Sequence, residues 1–273
     1  MDGFFGPDPN RIVFAEYGPL HWLVVVVLAV CLALVVIFRR ALRGHAGVRR
    51  RLPIAFALVA WAFEIAYHVW TYVYRFDFVA ALFPFGLCAI SLWLAAILAF
   101  RRSRALFGYL FYFTSAGAVL TYAFPDLGGY GPDHFRFWHF FLIHGFILFM
   151  WTWCLAVERF RLPRDAYVRF VAIMAPYAAI MYVVDRVFHQ NYLYLAGPTA
   201  GSSPLDFFGT GWAYVAKFAG LAVVVFFLMY LAAPKEPRTD GGGAQGPADD
   251  QTVGPYTGGI REGSHAHGSP AHQ

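Results

Sequence analysis

The sequence predicts an all-α polytopic membrane protein, a bundle of seven transmembrane helices with its N-terminus outside and its C-terminus in the cytoplasm. Three observations predict this. Of 273 residues, 59% are hydrophobic and 14% are charged, with a mean hydropathy of +0.53; soluble domains carry about 25% charged residues. Seven apolar stretches approach the ~20 residues that a helix needs to cross a bilayer core. The basic residues cluster in alternate loops between them.

The stretches are His21–Phe38, Pro53–Val73, Leu82–Phe100, Ala105–Phe124, Phe135–Val157, Val168–Val184 and Trp212–Leu231. The sixth is the shortest and contains Pro176, which predicts a kink. The first loop, RRALRGHAGVRRR, has six arginines and no acid; RRSR has three; ERFRLPRDAYVR has four against two acids. The intervening loops, YRFD, PDLGGYGPD and the long one after Val184, are neutral or acidic. Cytoplasmic loops collect Lys and Arg, so this alternation sets the orientation and predicts a multi-pass protein of the cell membrane.

Residues 1–20 are expected to form a short extracytoplasmic segment, and 21–233 the membrane domain. MDGFFGPDPNR has no basic n-region or small-residue cleavage site, so it does not read as a cleaved signal peptide. Residues 234–273 are rich in Gly, Pro and polar residues and read as a disordered cytoplasmic tail. The pI near 9.2 comes from arginines in loops. With no basic aromatic platform, nucleic-acid binding is not expected. Cys31, Cys88 and Cys154 lie in apolar stretches without CxxC spacing, so neither a disulfide framework nor a metal site is indicated.

Orientation converts position into depth at 1.5 Å per residue. Measured from the outer surface, His68 lies at ~8 Å, Glu64 at ~14 Å, Cys88 at ~9 Å, His139 at ~6 Å, His144 at ~14 Å and Lys217 at ~8 Å. His21 opens the first stretch, and Asp185 and Arg186 close the sixth. Nearly all ionisable residues within the stretches therefore fall in the outer half. Such groups face a bundle interior or a wet cavity, which predicts a polar cavity open to the outer side.

Each residue also has a plainer role. Glu64 and His68, spaced i, i+4, can satisfy each other. Arg136 and Lys217 can reach outward to the headgroups. Asp185 and Arg186 read as structural, His134 as a loop residue and His21 as an interfacial residue beside Trp22. His139 and His144 point about 140° apart, and one of them can be a hydrogen-bonded core histidine. A free Cys in an apolar helix usually packs; only Cys88 shares the layer of Glu64 and the histidines, near a helix start that lowers thiol pKa.

Three stretches in this order, FPFGLCAISLWLAAIL, FRFWHFFLIHG and NYLYLAGPTAGSSPLDFFG, resemble the YwaF-like family of seven-helix bacterial membrane proteins. That family is similar to the animal transmembrane protein 164 group, described as cysteine-dependent phospholipid acyltransferases. The resemblance covers roughly Gly18 to Leu231. It implies Cys88 as nucleophile and His144 as its histidine, with His139 second. Gly86 and Ala89 depart from the polar residues that often flank the family's cysteine.

In the chemistry so implied, a thiolate attacks an ester, a histidine moves the proton, and a thioester holds the acyl chain. Glu64, His68, Asn191 and His21 are expected to orient these groups or bind substrate. An outward-facing site favours membrane phospholipid as acyl donor over a cytoplasmic thioester. No cofactor and no obligate protein partner is expected. The alternative is a non-enzymatic transporter or lipid-binding membrane protein. Lys217 on the seventh stretch also brings a retinal protein to mind, but the third stretch offers no Asp counter-ion.

Overall fold

The computed structural model describes residues 3–75, 85–198 and 204–237. Eight α-helices are described: α1 Pro19–Ile37, α2 Arg39–Gly44, α3 Ala46–Arg75, α4 Leu87–Phe100, α5 Arg104–Ala123, α6 Phe135–Ala156, α7 Ala166–Phe188 and α8 Gly211–Ala232. A 3-10 turn, Pro204–Phe208, precedes α8. Among the described residues no strand forms, and only two isolated bridges occur, Val13 with Tyr130 and Leu162 with Lys235.

Six helices, α1, α3, α5, α6, α7 and α8, are long and apolar enough to cross a membrane. The third predicted span is shorter than expected: α4 has 14 residues and starts at Leu87, and Leu82–Pro84 lie outside the described residues. Pro176 sits inside a continuous α7 that runs past the predicted end at Val184 to Phe188. The predicted tail also begins differently. The Leu162 amide donates to the Pro234 carbonyl at 2.9 Å, and the Glu236 amide to the Leu162 carbonyl at 3.0 Å, so Pro234–Glu236 are paired. Residues 238–273 lie outside the described residues.

Local signals start the helices where the sequence places them. Pro19 opens α1, where its missing N–H costs nothing. Ser103 caps α5 by accepting from the Leu106 amide at 3.3 Å. His134, expected in a loop, instead caps α6: its Nδ1 accepts from the Arg136 amide at 3.0 Å, and its Nε2 donates to the Gly6 carbonyl at 2.9 Å.

Helix α6 is the hub. Its apolar window is 67% buried, against 11% for α1 and 0% for α8, and it packs on α1, α3, α4 and α5. The core is largely aromatic and aliphatic, with Leu92, Phe107, Leu110, Tyr112 and Ile147 fully enclosed. The outward faces of α1, α7 and α8 remain apolar, as at Leu23, Val27, Val187 and Val224. An exposed apolar surface of this extent suits a hydrocarbon environment.

Two polar clasps hold the ends of the bundle. At one, Glu158, just beyond α6, accepts from Arg49 Nε at 3.1 Å and from Trp153 Nε1 at 3.2 Å, and lies 3.5 Å from Arg102 Nε. Arg43 donates to the last carbonyls of α6, at Ala156 and Val157. Cations at a helix C-terminus also complement its dipole. At the other end, the N-terminal segment lies across the α5–α6 loop. Ile12 N donates to Asp133 Oδ2 at 3.1 Å, Phe14 N to the Gly129 carbonyl at 3.1 Å, and Trp70 Nε1 to the Gly6 carbonyl at 3.0 Å. Gly131 permits this approach: a Cβ there would lie 1.8 Å from the Ile12 carbonyl oxygen.

Candidate functional site

Glu64 of α3 is the centre of a buried polar cluster. It is 3% exposed. Its Oε2 accepts from His139 Nε2 of α6 at 2.9 Å, and its Oε1 lies 3.4 Å from His68 Nε2. The i, i+4 pair read from the sequence is therefore half of a larger arrangement. Arg136 Nη1 lies 3.0 Å from His139 Nδ1. A guanidinium only donates, so Nδ1 accepts and the His139 proton resides on Nε2, directed at Glu64. Tyr67 braces both partners, with its ring 4.2 Å from the His139 ring and 4.7 Å below the Arg136 guanidinium.

Arg136 does not reach outward. On a helix the Cα–Cβ bond tilts toward the N-terminus, yet the Arg136 guanidinium lies against His139 and Phe140, three and four residues further along α6.

His144, one turn deeper in α6, is 6% exposed. Its Nδ1 lies 2.6 Å from the Phe140 carbonyl oxygen. A carbonyl can only accept, so Nδ1 carries the proton and Nε2 keeps its lone pair. This separates the two histidines. Both nitrogens of His139 are engaged, whereas His144 presents a basic nitrogen.

Cys88 is the second residue of α4, and Gly86 supplies no side-chain cap. The thiol is half-buried. Its Sγ lies 3.9 Å from Thr121 Oγ1, while the Thr121 hydroxyl donates to the Gly117 carbonyl at 2.8 Å. The Thr121 proton is thus committed, and the thiol is the donor of the longer contact. Among the described residues, Cys88 and His144 are not hydrogen-bonded to each other. A Cβ at Gly117 would lie 3.6 Å from Cys88 Sγ, and a Cβ at Gly145, next to His144, would lie 3.0 Å from the Tyr122 hydroxyl. Cys88 therefore lies against α5 at Gly117 and Thr121, and Tyr122 of the same helix reaches α6 beside Gly145.

Two expected site residues hold backbone groups. His21, 1% exposed, accepts from the Tyr17 amide at 2.9 Å and bonds the Tyr122 carbonyl at 2.8 Å, pinning α1 to α5. Asn191 bonds the Gly197 carbonyl at 2.9 Å and the Ala196 amide at 3.0 Å, shaping its own exposed loop. Lys217 donates to the Phe208 carbonyl at 3.3 Å. Cys154 is buried in the core and Cys31 lies on the exposed surface of α1. Among the described residues, no group of His, Cys, Asp and Glu is arranged to hold a metal ion.

Thr121 and Tyr67 escaped the sequence reading. A hydroxyl four residues after a glycine, as in GAVLT, was the available signal for Thr121. Nothing local marks Tyr67, whose role depends on α6.

No curated protein and no solved structure matches the chain. The model of the TMEM164 family matches residues 16–230. That match spans every described membrane helix from α1 to α7 and nearly all of α8, and includes Glu64, Cys88, His139 and His144. The chain belongs to the TMEM164 family.

Proposed function

We propose that this protein is a thiol-dependent phospholipid acyltransferase of the cell membrane, in the bacterial YwaF-like branch of its family, with its site in the outer half of the bilayer. Seven crossings and an extracytoplasmic N-terminus are part of the reading. A parity argument supports the seventh. Arg102, between α4 and α5, donates to the Arg49 carbonyl at the start of α3 at 2.6 Å. If α3 crossed and α4 did not, these residues would stand on opposite faces of the membrane. The N-terminal segment likewise meets the α5–α6 loop, which requires an even number of crossings between them. The arginine-rich loops then orient the whole.

One observation carries the chemical reading. The His144 Nδ1 is held by the Phe140 carbonyl, which leaves Nε2 with its lone pair, and the Cys88 thiol stands at the start of a helix. A thiol and a base with a fixed tautomer are the parts that nucleophilic acyl transfer requires. In the reaction, the thiol leaves its contact with Thr121 and passes its proton to His144 Nε2. The thiolate forms a C–S bond to the ester carbonyl carbon as the ester C–O bond breaks. His144 returns the proton to the departing alkoxide, releasing a lysolipid. An acceptor hydroxyl then attacks the thioester, its proton passing through His144 to the thiolate. The apolar lower half of the bundle shelters the acyl chain. Partners are the lipids themselves.

The test is direct. Purified protein in phospholipid vesicles is expected to form a hydroxylamine-sensitive acyl adduct at Cys88, absent in Cys88→Ser. Vesicles that never yield the adduct overturn the reading and leave a transport or lipid-binding role.

A further inference from the structure

Arg136 is poorly explained by helix stability. It occupies the second position of α6, where the helix dipole disfavours a cation. Its guanidinium is turned along the helix toward His139 and Phe140, the reverse of a side chain seeking headgroups at the nearer surface. Among the described residues no carboxylate pairs with it. Glu64, on the far side of His139, already has one histidine on each oxygen.

The guanidinium is nevertheless held firmly. Tyr67 lies beneath it at 4.7 Å, Phe140 flanks it at 5.6 Å, and one N–H meets His139. Stacking uses the faces of the planar group and leaves its edge donors available. One of five is engaged, so four remain. A braced, half-buried, carboxylate-free guanidinium suits a tetrahedral anion with several oxygens.

Depth narrows the anion. The guanidinium lies level with His139–Phe140, four to five residues above His144, which is ~6–8 Å along the helix axis. The polar layer of a bilayer leaflet, from headgroup to first hydrocarbon, is about 5–8 Å thick. A phosphate at Arg136 would therefore leave the ester carbonyls of the same lipid at the level of His144.

We propose that Arg136 is the phosphate anchor of the site, binding the phosphodiester of a glycerophospholipid so that its ester reaches Cys88. The assignment rests on the acyl-transfer reading for its purpose, but it is testable without turnover. Full-length Cys88→Ala protein in detergent micelles is titrated with a lysophosphatidylcholine and with a monoacylglycerol of the same chain, and complexes are counted by native mass spectrometry. Adding Arg136→Gln is expected to weaken lysophosphatidylcholine by about tenfold or more and leave the monoacylglycerol unchanged, with Arg136→Lys falling between. Equal loss for both lipids, or loss for neither, overturns the assignment. Displacement of the lysophospholipid by millimolar inorganic phosphate would assign the site to free phosphate and overturn the lipid reading. Arg136-dependent binding in a protein that forms no acyl adduct would refute acyl transfer and leave the anchor standing.

Discussion

The imidazole Nδ1 of His144 lies 2.6 Å from the carbonyl oxygen of Phe140, one turn back on the same helix. That bond decides which substitution isolates the base. Asparagine places an amide N–H near Nδ1 and nothing near Nε2. His144→Asn is expected to keep the Phe140 bond and the fold while lowering the rate of adduct formation at Cys88 by ~10²–10⁴, the usual weight of a general base. Single-turnover acylation in vesicles measures it. A rate within a few-fold of the parent would remove His144 from the proton path.

Glu64 joins α3 to α6 by accepting from His139 while its other oxygen faces His68. Glu64→Gln keeps the shape but offers one acceptor oxygen in place of two, and is expected to cost about 1–3 kcal/mol. Glu64→Ala leaves the imidazole donors without an acceptor and opens a void, and is expected to cost more than the Gln change. Thermal unfolding in detergent should rank parent, Gln, then Ala.

Gly131 approaches the Ile12 carbonyl so closely that a Cβ would lie 1.8 Å away. Gly131→Ala is expected to lift the N-terminal segment from the α5–α6 loop. Limited proteolysis should then cleave before Phe14 much faster than in the parent, with the long apolar helices still protected.

Glu158 is nearly enclosed, with a side chain 2% exposed beside Arg49 and Arg102. Glu158→Ala leaves two partly exposed cations and the Trp153 indole N–H without this acceptor and is expected to cost about 1–3 kcal/mol. Combining it with Arg49→Met should recover part of the loss, a coupling that a double-mutant cycle on unfolding midpoints reports.

The membrane spans were legible in the sequence because length and apolar composition are local properties, and six of the stretches stand as long apolar helices. The third was less so, since α4 begins at Leu87 inside a longer apolar run. The polar layer was legible as a list but not as partnerships. That Glu64 takes His139 as well as His68 depends on how α3 lies against α6, which no spacing along either helix encodes. Arg136 misled for a related reason. At an interface an arginine is expected to reach for water, and only Tyr67, from another helix, accounts for its turning inward. Gly131 gave no sign of its role because the atom it accommodates belongs to Ile12, more than a hundred residues earlier.

The distance in sequence between Ile12 and Asp133, 121 residues, imposes an order on biogenesis. At the ~5–20 residues per second of synthesis, the opening segment waits roughly 6–24 s for the loop that receives it. During that interval Phe4, Phe5 and the backbone of residues 12–14 lack their native partners, and the ring of Trp70 lacks its roof. The segment from Phe4 to Phe14 is thus among the last to settle, and this end of the bundle closes only after the ribosome has delivered the start of α6.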